Sequence, residues 1–511
     1  MPSKNTVTCM VGAAALALSL TACSGGSSTG SSSDGNGTLT LGSVTQVTTF
    51  AASGALWANE APFMQAVYDT LLRETPDAKV EPWLATSWKY NADKTVLTMK
   101  LRTGVKFSDG TPFNATAAAK NILRFRDGTS PGKQELQNLR NATAVDDSTL
   151  KITLTQPDPT LLTYLAQLAG LQESPANFGK SDEKTRPVGS GPYILDSGQT
   201  VIGSKYVFTK NPNYWAKDQQ HYAKLVFNVY ENATAQVNAL MGGQANGLVL
   251  FDSNSKAQLK SAGLKLYGME QNWQGLILFD RNGKMNPALA NLKVRQAINY
   301  AIDRKAMLKA VVKGDGTVSG QIFGKTNAGY DAALDDVYPY DPNKAKQLLK
   351  EAGYGSGLTL SMPQFGFVGT TVFDLTKQYL GAVGITVKYT QVPNNNAISD
   401  VLTPKYAAAW FPLQQDPTPW QVANFEIAPA AVWNPFHVKN AKVDGYLKTI
   451  QTGDDAAATQ AAKDLNKYVV DQAWFDPWFR MEGFFAADSK TSVVLQSDNA
   501  FPYLWNIKPK A

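Results

Sequence analysis

The residue types best suited to covalent or metal chemistry are scarce in this chain of 511 residues. Its two cysteines, Cys9 and Cys23, both lie at the N-terminus, and its two histidines, His221 and His437, are far apart in the sequence. The body of the chain therefore cannot form a disulfide, a thiolate metal site or a cysteine nucleophile. A histidine-built metal site or catalytic triad is not expected either. We interpret His221 and His437 as surface residues rather than nickel or haem ligands.

Two glycine-containing segments fit catalytic or cofactor motifs only formally. Gly26–Gly30 matches G-x-S-x-G, but it lies in a Ser/Gly-rich stretch with no strand before it and no helix after it. Gly314–Gly320 has one residue too many for a dinucleotide-binding loop. The phosphate-binding motif G-x-x-x-x-G-K-[ST] does not occur, and a carboxylate pair suited to glycoside hydrolysis stays open. We therefore expect no catalytic activity and no cofactor.

The composition is that of a globular protein, with 43% hydrophobic and 18% charged residues. The formal net charge is +6, but the basic residues are dispersed, so nucleic acid is not an expected partner. Beyond the N-terminus there is no apolar run of about 18 residues, so no membrane-spanning helix is expected. A chain of this length can bury a sufficient core without disulfides.

The N-terminus has the pattern of an export signal. Met10–Leu20 is apolar, follows Lys4, and is too short to span a bilayer. The segment Leu20–Cys23 resembles a bacterial lipobox, which predicts a signal peptide over residues 1–22 and a lipid anchor at Cys23. The Ser/Gly-rich residues 23–37 are typical of a flexible tether. The predicted location is the outer face of the cytoplasmic membrane; the alternative is an ordinary secretory signal with an incidental cysteine.

Several segments of the body match one family in the family's own order. They are Pro82–Gly110 (PWLATSWKYNADKTVLTMKLRTGVKFSDG), Pro187–Tyr193 (PVGSGPY), Asn211–Trp215 (NPNYW), Val294–Ala297 (VRQA), Ala301–Arg304 (AIDR) and Tyr340–Tyr354 (YDPNKAKQLLKEAGY). With these motifs the chain resembles the family 5 extracellular solute-binding proteins, the dipeptide, oligopeptide and nickel-type receptors of ABC importers. The resemblance covers roughly the whole body of the chain.

The resemblance implies an α/β fold of the two-lobed periplasmic-binding-protein type (type II-like), with an extra inserted domain. Lobe one would comprise residues 38–75, 187–270 and 488–511, the inserted domain residues 76–186, and lobe two residues 271–487. The chain would cross between the lobes near Gln271–Leu278 and Met481–Phe485. The implied partners are an ABC permease and its ATPase subunits, and the protein would be a monomer.

Most of these motifs have a structural explanation. Gly189 and Gly191 are predicted to adopt backbone angles that other residues avoid. Asp341 is predicted to cap a helix that begins at Pro342, and Gly353 to follow its end. Leu292–Val311 reads as one helix whose apolar stripe packs in the core.

The region that bears on the ligand is a tryptophan-rich stretch near the C-terminus. Ala407–Phe411 reads as a buried strand and Pro412–Trp420 as a loop. The resemblance places Trp410 and Phe411 on the strand that lies along the ligand in peptide-binding members. It also places Leu413 where those members have a carboxylate for the ammonium group of the peptide. A free-amine peptide would then need another acid, for example Asp400 or Glu426, because a buried ammonium without a counter-charge is costly.

Three further residues are expected to face the cleft between the lobes, where an aromatic face or a cation could contact ligand. These are Trp273 at the first crossing, and Trp478 and Arg480 just before the second. With Trp410, Phe411 and Leu413 they complete the predicted ligand-binding set. Their alternatives are core aromatic residues and, for Arg480, a solvated surface charge.

These patterns predict a solute receptor that captures a peptide or peptide-like small molecule between two lobes and delivers it to a permease. One alternative is a non-peptide solute such as a sugar, an aromatic acid or a metal complex. A second is a ligand sensor or adhesin rather than an import component. A third is a secreted hydrolase, which would turn over the ligand that it captures.

Overall fold

The computed structural model describes residues 37–510, apart from residues 58–59, 251–252, 367, 394–395 and 498–500. The predicted signal peptide, the lipidation site Cys23 and nearly all of the tether lie outside the described residues. The strands are β1 (Thr38–Ser43), β2 (Leu72–Glu74), β3 (Val80–Pro82), β4 (Ala85–Tyr90), β5 (Val96–Leu101), β6 (Leu139–Asp146), β7 (Thr149–Leu154), β8 (Tyr193–Leu195), β9 (Lys205–Lys210), β10 (Lys224–Val229), β11 (Gly247–Leu250), β12 (Lys265–Leu278), β13 (Gly316–Val318), β14 (Leu358–Phe365), β15 (Ile385–Val392), β16 (Ala408–Gln414), β17 (Phe475–Ala487), β18 (Thr491–Val493) and β19 (Ile507–Pro509).

Helices connect and cover these strands. They are α1 (Ala61–Val67), α2 (Ala115–Arg126), α3 (Leu161–Ala166), α4 (Ala233–Met241), α5 (Lys256–Ser261), α6 (Leu292–Ala301), α7 (Arg304–Val312), α8 (Pro342–Glu351), α9 (Thr371–Ala382), α10 (Ala397–Val401), α11 (Pro419–Val422), α12 (Ala441–Thr452) and α13 (Asp455–Asp471). Within the described part of the chain, no helix has both the length and the apolar character needed to cross a bilayer.

The largest sheet has nine strands among the described residues. Its order is β16-β12-β17-β11-β1-β10-β9-β8, with β13 pairing beside β17. Strand β1 pairs in parallel with β10 and β11, whereas β12 pairs antiparallel with both β16 and β17. The long strands β12 and β17 are therefore the second and third strands from the edge formed by β16.

Two large hydrophobic clusters pack against this sheet, and we name the lobes after them. Lobe one is built around buried residues between Leu39 and Val249 together with Phe485–Ile507. Lobe two is built around buried residues between Trp273 and Phe479. Along β17, Phe479 belongs to the second cluster and Phe485 to the first. The same strand thus contributes residues to both hydrophobic clusters.

A separate four-stranded sheet, ordered β4-β5-β7-β6, lies within the predicted inserted domain. Helix α2 follows β5 and begins at Asn114, whose side chain accepts a hydrogen bond from the Ala117 amide at 3.0 Å. An asparagine at this position satisfies one of the free amide groups at the start of the helix. The buried residues of this sheet belong to the same cluster as lobe one, so the inserted segment packs on that lobe.

The segment Leu292–Val311 is not the single helix predicted from its apolar stripe. It divides into α6 and α7 at Ile302-Asp303, and the Asp303 carboxylate accepts a hydrogen bond from the Ala306 amide at 3.0 Å. The stripe still packs in lobe two, but the break turns Arg304 inward. Its guanidinium forms a buried ion pair with Asp476 at 2.8 Å.

The predicted cap and end of the helix at Pro342 are confirmed, whereas the prediction for Gly189 and Gly191 is wrong. Asp341 caps α8, which begins at Pro342, and Gly353 follows the helix with φ +88°, as predicted. Gly189 and Gly191 do not need a positive φ. Instead, a Cβ at Gly189 would lie 2.1 Å from the Val67 carbonyl oxygen, and a Cβ at Gly191 would lie 2.4 Å from the Val67 carbonyl carbon. These glycines are required because two segments of backbone approach too closely for any side chain.

Candidate ligand-binding site

Strand β16 lies at one edge of the nine-stranded sheet and pairs with β12. The predicted buried strand is confirmed, but it runs on to Gln414, so Pro412 belongs to the strand and not to the following loop. A proline is tolerated here because an edge strand does not need every amide group for pairing. In the register of the pair, Leu413 lies opposite Trp273.

The aromatic residues of β16 are buried in lobe two. The Trp410 ring packs edge-on against Phe373 at 5.5 Å, and the Phe411 ring lies 4.8 Å from Trp433. The Trp410 indole nitrogen is buried and has no hydrogen-bond partner. A buried donor of this kind is costly unless another molecule satisfies it. Contact of Trp410, Phe411 and Leu413 with ligand stays a prediction.

Trp273 and Trp478 are both fully buried, but their polar atoms have different surroundings. The Trp478 indole nitrogen donates to the Asp476 carboxylate at 2.9 Å, so it is satisfied inside the protein. Asp476 in turn pairs with Arg304, and burial raises the pKa of Asp476 to about 6. The Trp273 nitrogen instead donates to Glu426 at 3.5 Å. Trp478 therefore belongs to a structural network, whereas Trp273 contacts a residue that still has bonding capacity.

Arg480 is neither on the surface nor free. It is fully buried, and its terminal nitrogens donate to both oxygens of Asp335 at 2.9 and 3.2 Å. One of them also donates to the Phe323 carbonyl at 3.2 Å. The alternative of a solvated surface charge is thus wrong. A ligand carboxylate would have to compete with Asp335 for this side chain, and the predicted role in binding stays a prediction.

The two acids considered as substitutes for a carboxylate at Leu413 occupy different environments. Asp400 forms an ion pair at 2.5 Å with Lys405, whose side chain is 56% exposed. Glu426 is fully buried on a π-helical turn, Ala423–Ile427. Its second carboxylate oxygen has no hydrogen-bond partner. Of the two, Glu426 is the acid that a ligand near Trp273 would meet.

The histidines lie away from β16. His437 is exposed, and its ring contacts the Pro429 carbonyl at 2.9 Å. His221 was expected at the surface, but it is half-buried in lobe one and its Nε2 atom is buried without a hydrogen-bond partner. Burial lowers the pKa of His221, with the charge of Lys508 as a second cause. Among the described residues, no group of three His, Cys, Asp or Glu side chains is arranged to hold a metal ion.

The two lobes touch on the side of the molecule where β16 ends. The hydroxyls of Thr160 in lobe one and Thr418 in lobe two lie 3.2 Å apart. Nearby, the Gln451 side chain donates to the Pro157 carbonyl at 2.8 Å. Lys94 also donates to the Gly453 carbonyl at 2.9 Å. The lobes are thus in direct contact at Thr418, which follows β16, and at the C-terminal end of α12.

Three carboxyl groups meet at this contact, and we call Glu135, Asp416 and Glu426 the acid group. Glu135 comes from lobe one, and the other two come from lobe two. Burial raises the pKa of Asp416 to about 7. Burial and then the charge of Asp416 raise the pKa of Glu135 to about 8. The same two causes hold the pKa of Glu426 well above its ordinary value.

The α/β architecture, with two lobes joined by β12 and β17, is that of a two-lobed solute-binding protein. The model for bacterial extracellular solute-binding proteins, family 5, matches residues 79–428. The chain therefore belongs to this family. The predicted family, fold class and role as a solute receptor are confirmed.

Individual relatives agree with this assignment. The chain is 33% identical over 320 residues to heme-binding protein A of Haemophilus influenzae, a match that spans 57% of each protein. It is 28% identical to the glutathione-binding protein GsiB of Escherichia coli K12, over 86% of this chain and 88% of the relative. The dipeptide-binding protein of a Pseudoalteromonas species, solved with Met-Leu, superposes with a TM-score of 0.74 at 22% identity, covering 93% of this chain and 100% of that one.

Sequence reasoning missed Glu135 as a site residue and noted Asp416 only as part of a loop ending. Glu135 lies in a short 3-10 segment, Pro131–Leu136, that has no motif of its own. No spacing in the sequence relates it to Asp416, because the two residues meet only when the lobes come together. The residues around such an acid give no indication that it will contact an acid of the other lobe.

Proposed function

We propose that this protein is the lipid-anchored receptor of an ABC importer and that it captures a peptide or peptide-like molecule between its lobes. The observation that carries the proposal is the position of β16, an edge strand beside the contact between the lobes. An extended peptide can add to such an edge through its backbone. The names of two relatives support the same class, since glutathione and Met-Leu are both small peptides.

The remaining parts of the proposal are an anchor at Cys23, a monomeric receptor outside the cytoplasmic membrane, and a permease with ATPase subunits as partners. The predicted lobe boundaries at residues 76, 187, 271 and 488 belong to it as well. The relatives named above are binding proteins, which supports a role without catalysis.

The direct test is to denature the purified protein and identify released molecules by mass spectrometry. We expect one or a few peptides of two to several residues, recovered intact. Intact recovery after long incubation with added peptide would distinguish a receptor from a hydrolase. Recovery of a porphyrin, a sugar or a metal complex in place of peptide would contradict the proposed ligand class.

A further inference from the structure

We propose that the acid group binds a positively charged group of the ligand, an ammonium or a guanidinium, and that the cation joins the two lobes by neutralising carboxyls from both. This inference rests on the proposed function and names the part of the ligand that the site selects. It differs from the expectation based on Leu413 alone, which favoured an uncharged or capped end. Strand β16 itself carries no acid. The carboxyls come instead from Glu426, from Asp416 in the loop after β16 and from Glu135 in lobe one.

The first observation is that, among the described residues, none of these three acids takes part in an ion pair with a Lys, Arg or His side chain. The charged neighbour that acts on Glu135 and on Glu426 is Asp416, which repels them. For Asp416 itself, burial is the cause of the raised pKa. Asp158 and Tyr164, on the lobe-one side, add no positive charge. Burying an ionised carboxylate without a partner costs several kcal/mol, so these acids hold their protons in the absence of ligand and can ionise when a cation enters between them.

Other buried acids of the same protein show the contrast. Asp476 pairs with Arg304 at 2.8 Å, and Asp335 pairs with Arg480 at 2.9 Å. Asp69 accepts hydrogen bonds from three side chains, those of Trp83, Tyr214 and Trp215. Glu173 has a cation, Arg124, and an amide, Asn177. These four acids are thus paired or fully hydrogen-bonded, whereas Glu74, like the acid group, has no cation and keeps one buried oxygen without a partner.

The second observation is the set of unsatisfied polar atoms at the same place. One oxygen of Glu135 and one of Glu426 are buried without a hydrogen-bond partner. Glu426 is 0% exposed. Two buried acceptors left open in a group of three acids fit a ligand that brings a cation, as an amino terminus or a basic side chain of a peptide does.

The arrangement favours an organic cation over a metal ion. The described part of the chain holds no group of three His, Cys, Asp or Glu side chains placed as metal ligands. A metal ion needs oxygen atoms within about 2.0–2.6 Å on several sides. An ammonium or guanidinium needs only acceptors at hydrogen-bond distance, and it can bridge carboxyls that lie further apart.

Two matched pools test the inference. One pool contains tripeptides with free amino termini, some of them with lysine or arginine. The other contains their neutral counterparts, which are N-acetylated and carry an uncharged residue in place of each lysine or arginine. Each is incubated with the full-length protein, and retained peptides are identified by mass spectrometry. We expect retention of cationic peptides at least about tenfold above their neutral counterparts, since charge-assisted hydrogen bonds of this kind are stronger than neutral ones.

The variants Glu135→Gln, Asp416→Asn and Glu426→Gln keep the shape of each side chain and remove its charge. We expect each to weaken binding of the best cationic peptide by about tenfold or more, while Glu231→Gln, on an exposed residue, leaves it unchanged. Circular dichroism and thermal melts verify that each variant folds. Calorimetry of the unmodified protein in two buffers of different ionisation enthalpy should also reveal protons released on binding, because a cation lowers the raised carboxyl pKa values.

The outcomes separate the two proposals. Peptides retained equally from both pools, with no loss in the three variants, would overturn the inference and leave the proposed function standing. Retention from neither pool would overturn the proposed peptide ligand, and the inference would fall with it. Charge-selective retention that is lost in the variants supports both.

Discussion

The indole nitrogen of Trp273 lies 3.5 Å from a carboxylate oxygen of Glu426, a residue 153 positions further along the chain. The pair links the long strand β12, the neighbour of edge strand β16, to the π-helical turn at Ala423–Ile427. Such turns are rare and frequently occur at functional sites. The second carboxylate oxygen of Glu426 has no hydrogen-bond partner, so only one of its two oxygens is satisfied within the protein. The contact therefore connects the strand pair β12 and β16 to a buried acid that can still accept a hydrogen bond from a ligand.

The lipid anchor predicts a clear change in cell fractionation. Replacing Cys23 by Ser removes the acceptor of the acyl chains, so the protein should move from the membrane pellet to the soluble fraction. Its electrophoretic mobility should change as well, because the signal peptide is then not removed at this cysteine. A membrane-bound Cys23→Ser protein of unaltered mobility would contradict the lipoprotein assignment.

Trp410 is a test of whether the β16 aromatics contact ligand. Trp410→Ala should lower the free energy of unfolding by about 3–5 kcal/mol, since the ring is buried against Phe373. Trp410→Phe keeps an aromatic ring and removes the indole nitrogen, so its ligand-free melting temperature should change less. If Trp410 contacts ligand, the Phe variant should bind the released peptide several-fold more weakly in a calorimetric titration. Equal affinity would make Trp410 a residue of the core alone.

Gly191 should be intolerant of even a methyl group. A Cβ there would lie 2.4 Å from the Val67 carbonyl carbon, so Gly191→Ala must displace backbone and should lower the melting temperature strongly. Gly445→Ala is the matched control, because it lies in α12 with no atom within 4 Å of the added Cβ. Alanine in a helix is favoured over glycine by about 1 kcal/mol, so that variant should be equally or more stable. A Gly191→Ala protein as stable as Gly445→Ala would refute the close-approach explanation.

The acid group predicts how stability depends on pH in the absence of ligand. Burial raises the pKa of Asp416 to about 7 and, with help from Asp416, the pKa of Glu135 to about 8. Between the ordinary carboxyl pKa near ~4 and these values, the folded state binds more protons than the unfolded state. Its stability should therefore fall as pH rises from about 5 to about 8. Urea unfolding at several pH values measures the slope.

The double variant Glu135→Gln, Asp416→Asn is the control for this slope. It removes two of the titrating groups, so its stability should change less over the same range and should exceed that of the unmodified protein at pH 8. A slope unaltered by the double variant would place the titrating groups elsewhere in the molecule.

The sequence by itself determined the family and the local architecture. Family motifs, caps such as Asp341 before Pro342, and the alternation of β16 are written in neighbouring residues, because helix caps and strands depend on spacing over a few positions. The same local signals indicated the export segment and the absence of cysteine chemistry. They misjudged Leu292–Val311, since an apolar stripe continues smoothly past the break at Asp303.

Only the tertiary structure decided which residues meet across the lobes. It paired Arg480 with Asp335, brought Trp273 to Glu426, and placed Glu135 beside Asp416. The two residues of each pair are far apart in the sequence. Their contact depends on how whole elements pack and not on local periodicity. A charge in the sequence looks the same whether it is solvated, paired or left open for a ligand. Burial and the identity of its neighbours make that difference, and both arise only when the chain folds.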